Sequence, residues 1–392
     1  MPSPGSEKLF TARFFTMWAF SFTVFLSVFQ LLPTAPFHIK DLGGSTLQAG
    51  LFLGLLTFSS AMFAPLTGAI GDRIGHRTVL LIASAAIAII TVAYAFLESV
   101  PAILALVFLQ GFFWSGMLSG SSAYLMSIIP KARRAEGLGY AGLASIFALA
   151  VAPAVGFQIY RTGWFSLAMT CVALNVTMFV IALFLRRHVP SGPHPPITLR
   201  TLVEPRVLAL AFTLFLYSFG YGGITSFSAL YADAAGITPR SIYLTTLAIA
   251  ILLARPALGR LGDIYGYKRV FLPCLGLVAL SLAILAMTPG LTGLIISALA
   301  FGVGFGLAYP AFAAYIMEHV DDSRRGAAFG TMIAAFDTGI GTGSTTMGWL
   351  IQEHGYAAAF GVAAVLAACA APYFIAVDRR LGGPIVNGKS TT

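Results

Sequence analysis

The sequence predicts an all-α membrane protein: twelve transmembrane helices in two pseudo-symmetric six-helix bundles. Three observations carry that expectation. Apolar residues run in uncharged blocks long enough to cross a bilayer, basic residues collect in alternate loops, and the second half of the chain repeats the first at one constant offset.

The blocks come first. Of 392 residues, 58% are hydrophobic and only 9% charged, against about 25% charged in a soluble domain. Mean hydropathy is +0.87. From Val79 to Leu97 there is no charge at all. About 20 such residues cross a bilayer as a helix. In hydrocarbon every backbone N–H and C=O must be paired within the protein, so only helices or closed barrels span. The blocks are too long and continuous for barrel strands. In chain order they fall at 12–34, 46–70, 79–97, 101–128, 136–159, 164–186, 206–231, 241–262, 270–288, 291–318, 327–350 and 356–377. The 41 glycines and 20 prolines suit membrane helices. The short polar start has no small-residue cleavage site after it, so no removable signal peptide is expected. Cys171, Cys274 and Cys369 fall in separate spans and read as packing residues, with no disulfide or metal spacing.

The loops give direction. Of the 23 Lys and Arg, Lys40, Arg161 and Arg240 lie in one set of alternate loops, and Arg255 lies inside a span. All the rest lie at the two termini or in the other set of loops. Cytoplasmic loops carry the Lys/Arg excess, so both termini are expected in the cytoplasm. The net charge of +9 is an orientation signal and no sign of a nucleic-acid partner.

The repeat explains a charged phrase written twice. "GAIGDRIGHRTVLL" starts at Gly68 and "GRLGDIYGYKRVFL" at Gly259. Asp72 and Asp263, Gly111 and Gly302, Tyr124 and Tyr315, and Arg133 and Arg324 all stand 191 residues apart. Residues 1–187 and 206–392 are therefore expected to be related six-helix bundles. The Pro-rich, charged stretch at 188–205 is expected to join them as a cytoplasmic linker. In each copy, glycines such as Gly68 and Gly75 allow close approach and a sharp turn, Asp72 can sit by a helix amino terminus, and Arg73 and Arg77 hold the loop on the basic side. Such a clasp can latch two helix ends and release them.

Here the chain resembles the major facilitator superfamily. The pattern G-x-x-x-D-R-x-G-x-R between the second and third spans is similar to that family's signature. The second copy matches at Gly259, Asp263, Gly266 and Lys268, with Ile264 in place of the arginine. The resemblance covers the whole chain in span number, repeat and linker. It implies two bundles that rock about a central cavity, with Asp72 and Arg73 latching the cytoplasmic side in the outward-facing state. It also implies that the first, fourth, seventh and tenth spans line the cavity, while the third, sixth, ninth and twelfth face lipid. Two features of the drug-proton antiporters are altered. Val107 stands where they carry an arginine before Gln110-Gly111, and the fifth span reads Ala152-Pro153-x-x-Gly156 where they carry Gly-Pro-x-x-Gly.

On the spans so implied, Gln30, Gln110, Trp114, Tyr217, Tyr221 and Tyr309 are candidate cavity residues. Aromatic rings with a few polar groups suit a partly apolar small molecule, although polar groups also join membrane helices to one another. Asp337 is the one mid-span acid. It lies about ten residues into the eleventh span, so ~15 Å deep. An acid there costs roughly 2.5–3.5 kcal/mol on insertion scales, and desolvation favours its neutral form, so it is the candidate for proton coupling. Arg255, ~12 Å above Asp263, could pair with Asp337, contact an anionic substrate or snorkel to the interface. Neither a metal cluster nor a nucleophile–base set nor a phosphate loop is present, so neither enzyme activity nor a cofactor is expected.

The expected function is a secondary active transporter of the inner membrane, acting as a monomer with protons and a small molecule as partners. Proton-coupled export of an amphipathic compound is the first reading. Proton-coupled import of an organic anion, held by Arg255, is the second. A non-transporting receptor or scaffold is the third.

Overall fold

The computed structural model describes residues 9–130, 133–186, 205–258, 261–320 and 325–380. The described residues build helices α1 (Ala12–Asp41), α2 (Thr46–Ile74), α3 (His76–Phe96), α4 (Val100–Ile128), α5 (Arg134–Tyr160) and α6 (Trp164–Phe184). They continue with α7 (Pro205–Ala234), α8 (Ile242–Leu258), the short α9 (Leu261–Tyr265), α10 (Tyr267–Met287), α11 (Leu291–His319) and α12 (Arg325–Arg380).

Local chemistry starts and stops these helices. Thr11 caps α1, its side chain accepting from the Phe14 N–H at 3.3 Å. Ser45 and Gln48 form a reciprocal capping box at the start of α2, which satisfies two of the orphan N–H groups. Gly75 joins α2 to α3 with φ 90°, a left-handed conformation open to glycine at little cost. Pro33 and Pro36 lie inside α1, which runs on to Asp41, past the predicted end at 34. Membrane helices tolerate proline because neighbouring groups satisfy the freed carbonyls.

Among the described residues, ten helices are long and apolar enough to cross a membrane. The last of them is broken at Gly355 (φ 81°, ψ 175°), so it turns back and crosses twice. The eighth crossing is the shorter apolar stretch Ile242–Pro256. By the length and composition of its helices the chain is thus a multi-pass membrane protein. The predicted linker at 188–205 lies outside the described residues except for Pro205, and Gly259 lies outside them as well.

Packing divides the helices into two sets. In the first, α1 lies against α5 and α6, α2 against α4, and α3 against α4 and α6. In the second, α8 and α10 pack on α11, and α7 packs on α12. The sets meet mainly where α2 touches α12 and α5 touches α8. Large apolar side chains such as Ile89, Phe184, Leu280, Met287 and Val365 are exposed on the outside, on helices of the third, sixth, ninth and twelfth crossings.

The repeat is written in backbone contacts. A Cβ on Gly111 would lie 2.4 Å from the Leu56 carbonyl oxygen and 2.6 Å from Ser59 Cβ. A Cβ on Gly302 would lie 2.6 Å from the Leu247 carbonyl oxygen and 2.5 Å from Ala250 Cβ. Each residue of the second set stands 191 positions after its counterpart in the first. The same holds for the turn glycines Gly75 and Gly266, with φ 90° and 88°. Small residues let membrane helices approach to backbone contact, and both halves place that approach at the same step.

Candidate functional site

The halves are sealed to each other at one end and parted at the other. Near the ends of α2 and α12 by Gly355, a Cβ on Gly50 would lie 2.4 Å from the Ser344 carbonyl oxygen. The Ser344 hydroxyl donates to the Gly50 carbonyl at 2.8 Å and shares a 2.7 Å hydrogen bond with Ser226. One turn further, a Cβ on Gly341 would lie 3.2 Å from the Gly54 carbonyl oxygen. At this seam glycines let the two backbones approach, with small hydroxyl side chains such as Thr57, Ser344 and Thr345 filling the space between them.

Beyond Ser60 the seam opens into a cavity of about 940 Å³. Its walls include Ser60, Ala64, Pro65 and Gly68 of α2, Ser115, Leu118, Ser119 and Ser122 of α4, Leu208, Phe212 and Phe215 of α7, and Phe329, Thr331, Ala334 and Thr338 of α12, with Tyr373. The lining is mostly apolar with scattered hydroxyls, and among the described residues no charged side chain lines it. That composition suits an amphipathic small molecule better than a strongly charged one.

Asp337 sits where seam and cavity meet. Ser60, which lines the cavity, donates to Asp337 Oδ2 across the two halves at 3.4 Å. The preceding residue, Phe336, anchors an aromatic cluster. Its ring centroid lies 6.0 Å from Tyr217, 5.9 Å from Phe305 and 5.2 Å from Tyr309. Tyr221 stacks on Phe305 at 4.3 Å. Tyr217, Tyr221 and Tyr309 are thus gathered in one cluster beside Asp337, behind the cavity wall. Among the described residues the buried Tyr217 hydroxyl has no hydrogen-bond partner.

The other sequence candidates lie elsewhere. Gln110 accepts from the Tyr94 hydroxyl at 2.7 Å. With Trp114, Thr91 and Asn175 it borders a small hollow inside the first bundle. Gln30 donates to the Leu26 carbonyl at 3.1 Å and packs on Gly156 of α5; its side-chain oxygen is buried with no partner among the described residues. Arg255 reaches across to α5, where a Cβ on Gly142 would lie 3.4 Å from its guanidinium. Among the described residues its buried Nε has no acceptor, and it forms no ion pair with Asp337.

The twice-written phrase borders the open end. Asp72 and Arg73 are exposed, and Asp72 lies 3.7 Å from His76. Arg77 donates to the Leu183 carbonyl at the end of α6 at 2.8 Å. In the second copy Lys268 pairs with Asp378 at 2.5 Å, and Tyr315 donates to the same carboxylate. The Asp263 side chain lies outside the described residues.

Sequence reasoning passed over Ser60, Ser119, Ser122 and Thr338. A signal was present: Ser115, Ser119 and Ser122 follow i, i+4, i+7 spacing and so share one face of α4.

Comparison with known proteins agrees with this architecture. The family model described as Major Facilitator Superfamily matches residues 14–254 and 210–390. An uncharacterised MFS-type transporter of Burkholderia mallei is 26% identical over 379 residues, covering 94% of this chain and 92% of the relative. The staphylopine export protein of Staphylococcus aureus is 24% identical over 366 residues, covering 87% and 88%. Among solved structures, the nucleoside transporter NupG superposes with a TM-score of 0.73 at 16% identity over 94% of this chain and 99% of that one. A peptide transporter, POT in complex with sulfate, gives 0.78 at 13% identity over 94% and 95%. These relatives are transporters and not enzymes. Twelve crossings in two repeated sets, a cavity between them and a family match along nearly the whole chain lead to one assignment: the chain belongs to the Major Facilitator Superfamily.

Proposed function

We propose that this protein is a secondary active transporter of the inner membrane that exports an amphipathic small molecule in exchange for protons. Residues 1–187 and 206–392 act as the two rocking bundles, joined through 188–205, with both termini in the cytoplasm. In that orientation the cavity faces the cytoplasm and the Gly50–Ser344 seam closes the outer side.

The observation that carries this reading is the position of Asp337. It holds Ser60 across the bundle boundary where the closed seam gives way to the cavity. Through Ser60 that carboxyl adjoins the cytoplasm-facing cavity in this conformation, and it would adjoin the outer side once the seam parts and the cytoplasmic end closes. Proton uptake and release would thereby be tied to the rocking step. Similarity to an exporter in Staphylococcus aureus favours the outward direction, and the apolar, hydroxyl-dotted walls favour an amphipathic cargo. A second reading, import of an organic anion, rests on the buried Nε of Arg255, which has no acceptor among the described residues.

Purified protein in proteoliposomes tests both. A thermal-shift screen against drugs, sugars, metallophores and carboxylates supplies the substrate. Transport of that substrate driven by an imposed pH gradient should vanish in Asp337→Asn, with substrate exchange partly retained. Gradient-driven transport at the wild-type rate in that variant overturns the assignment of Asp337. Loss of anion uptake in Arg255→Ala, with uptake present in the wild type, favours the second reading.

A further inference from the structure

Away from the central cavity, a second hollow of about 380 Å³ lies where α1 begins and α4 and α6 end. Thr11, Arg13 and Thr16 of α1, Tyr124 of α4, and Phe184 and Arg186 after α6 line it. Two arginines, Arg13 and Arg186, thus share its lining. Among the described residues, no carboxylate lines the hollow and neither arginine makes an ion pair. The start of a 30-residue helix adds its partial positive charge.

The second half shows how such a corner is neutralised. Lys268 and Tyr315, which stand 191 residues after Arg77 and Tyr124, both bind the carboxylate of Asp378. In the first half Tyr124 is also buried, at 2% exposure. Its hydroxyl accepts the Arg186 backbone N–H at 3.1 Å, which leaves its own proton to donate. The residue 191 before Asp378 is Arg187, which lies outside the described residues. At that position the sequence has a base where the second half has an acid. One half of the molecule supplies its own anion at this corner; the other supplies cations and donors.

The surroundings point to where an anion comes from. Phe10, Phe15 and Phe184 at this level are 49%, 57% and 76% exposed. Tyr140, 43% exposed, packs its ring 5.1 Å from Phe10; exposed tyrosines mark the headgroup depth of a bilayer, and basic pockets between helix ends bind anionic headgroups. We infer that this corner binds the phosphate of an anionic membrane lipid, held by Arg13 and Arg186 with the Tyr124 hydroxyl donating, while an acyl chain lies along Phe184. A free phosphate ion offers the same charge without the chain.

Full-length protein in a neutral detergent distinguishes these sources. Dioctanoyl phosphatidylglycerol, dioctanoyl phosphatidylcholine and inorganic phosphate are each titrated while the thermal unfolding midpoint is followed. Phosphatidylglycerol should raise the midpoint saturably, and the other two should not at matched concentration. Each basic group is worth roughly fivefold in affinity, so the double variant Arg13→Gln/Arg186→Gln should need on the order of twentyfold more lipid. Lys40→Gln/Arg161→Gln, at the opposite end, should respond as the wild type. If the double variant fails to fold, Arg186→Lys should keep most of the response that Arg186→Gln loses. Equal half-saturation in wild type and arginine variants overturns the site, as does an equal shift with phosphatidylcholine. An equal shift with inorganic phosphate overturns the lipid in favour of a soluble anion.

Discussion

The Arg240 guanidinium lies 4.9 Å above the ring of Phe37, bringing the loop after α7 onto the end of α1. Arg240 also bonds Asp233 at 2.8 Å, and beside it Tyr160 of α5 donates to Asp41 at 2.5 Å. The end opposite the cavity mouth is therefore pinned by side chains from both halves. A cation–π contact near a surface is worth roughly 0.5–1 kcal/mol. Arg240→Ala with Phe37→Leu should raise the population open at this end about two- to fivefold. Spin labels at positions 40 and 235, in a chain cleared of its cysteines, would read that population from their separation. An unchanged distance distribution would remove the contact from gating.

Deeper in the same closed end, Gly50 meets a main-chain oxygen of Ser344 that has no room to swing aside. Gly50→Ala should force α2 and α12 apart and cost about 1–3 kcal/mol, as overpacking does elsewhere. Gly276→Ala, where a Cβ would meet nothing within 4 Å, should be neutral or mildly stabilising by helix propensity. Thermal unfolding of both in detergent gives the comparison, and equal midpoints would mean that the seam yields freely.

The matched turns at Gly75 and Gly266 have nearly equal positive φ. A side chain in this left-handed region costs roughly 1–2 kcal/mol. Gly75→Ala and Gly266→Ala should therefore lower stability by similar amounts, and the double variant by about their sum, because distant sites add. Unequal losses would show that the two turns carry different loads.

For Asp337, the neutral replacement Asp337→Asn keeps the shape and removes the titrating group. pH-gradient-driven transport should be lost, while Ser60→Ala, which removes one long hydrogen bond, should slow it only a few-fold, in keeping with about 1 kcal/mol for such a bond. Transport followed across external pH would show a flat profile in Asp337→Asn if this carboxyl couples the proton.

Much of the architecture is legible in the chain itself. Uncharged runs mark the crossings because bilayer thickness fixes their length, and the 191-residue offset foretells the paired contacts at Gly111 and Gly302. The cavity wall is harder to read. In a membrane helix a polar side chain can serve its own bundle or face a hollow, and the residue type is the same in both cases. Gln110 satisfies Tyr94 inside the first bundle, whereas Ser60, on a helix outside the four expected to line the cavity, faces it. The glycines of α2 and α12 give no sign in isolation that they meet each other, because the contact joins residues nearly 300 positions apart. Proline misleads in the other direction: α1 continues past Pro33 and Pro36 because its neighbours satisfy what those residues leave open.

Gly355 is the whole connection between the eleventh and twelfth crossings, so these two behave as the arms of one lever. One arm carries Asp337 and the main-chain fastener; the other ends at Asp378, tethered to Lys268. With no slack in between, a tilt of the first arm, which the proposed proton uptake at Asp337 would begin, would travel out along it and back down the other to that tether. Lengthening the elbow with a few flexible residues would let the arms swing separately, disconnecting the two events without disturbing either locally.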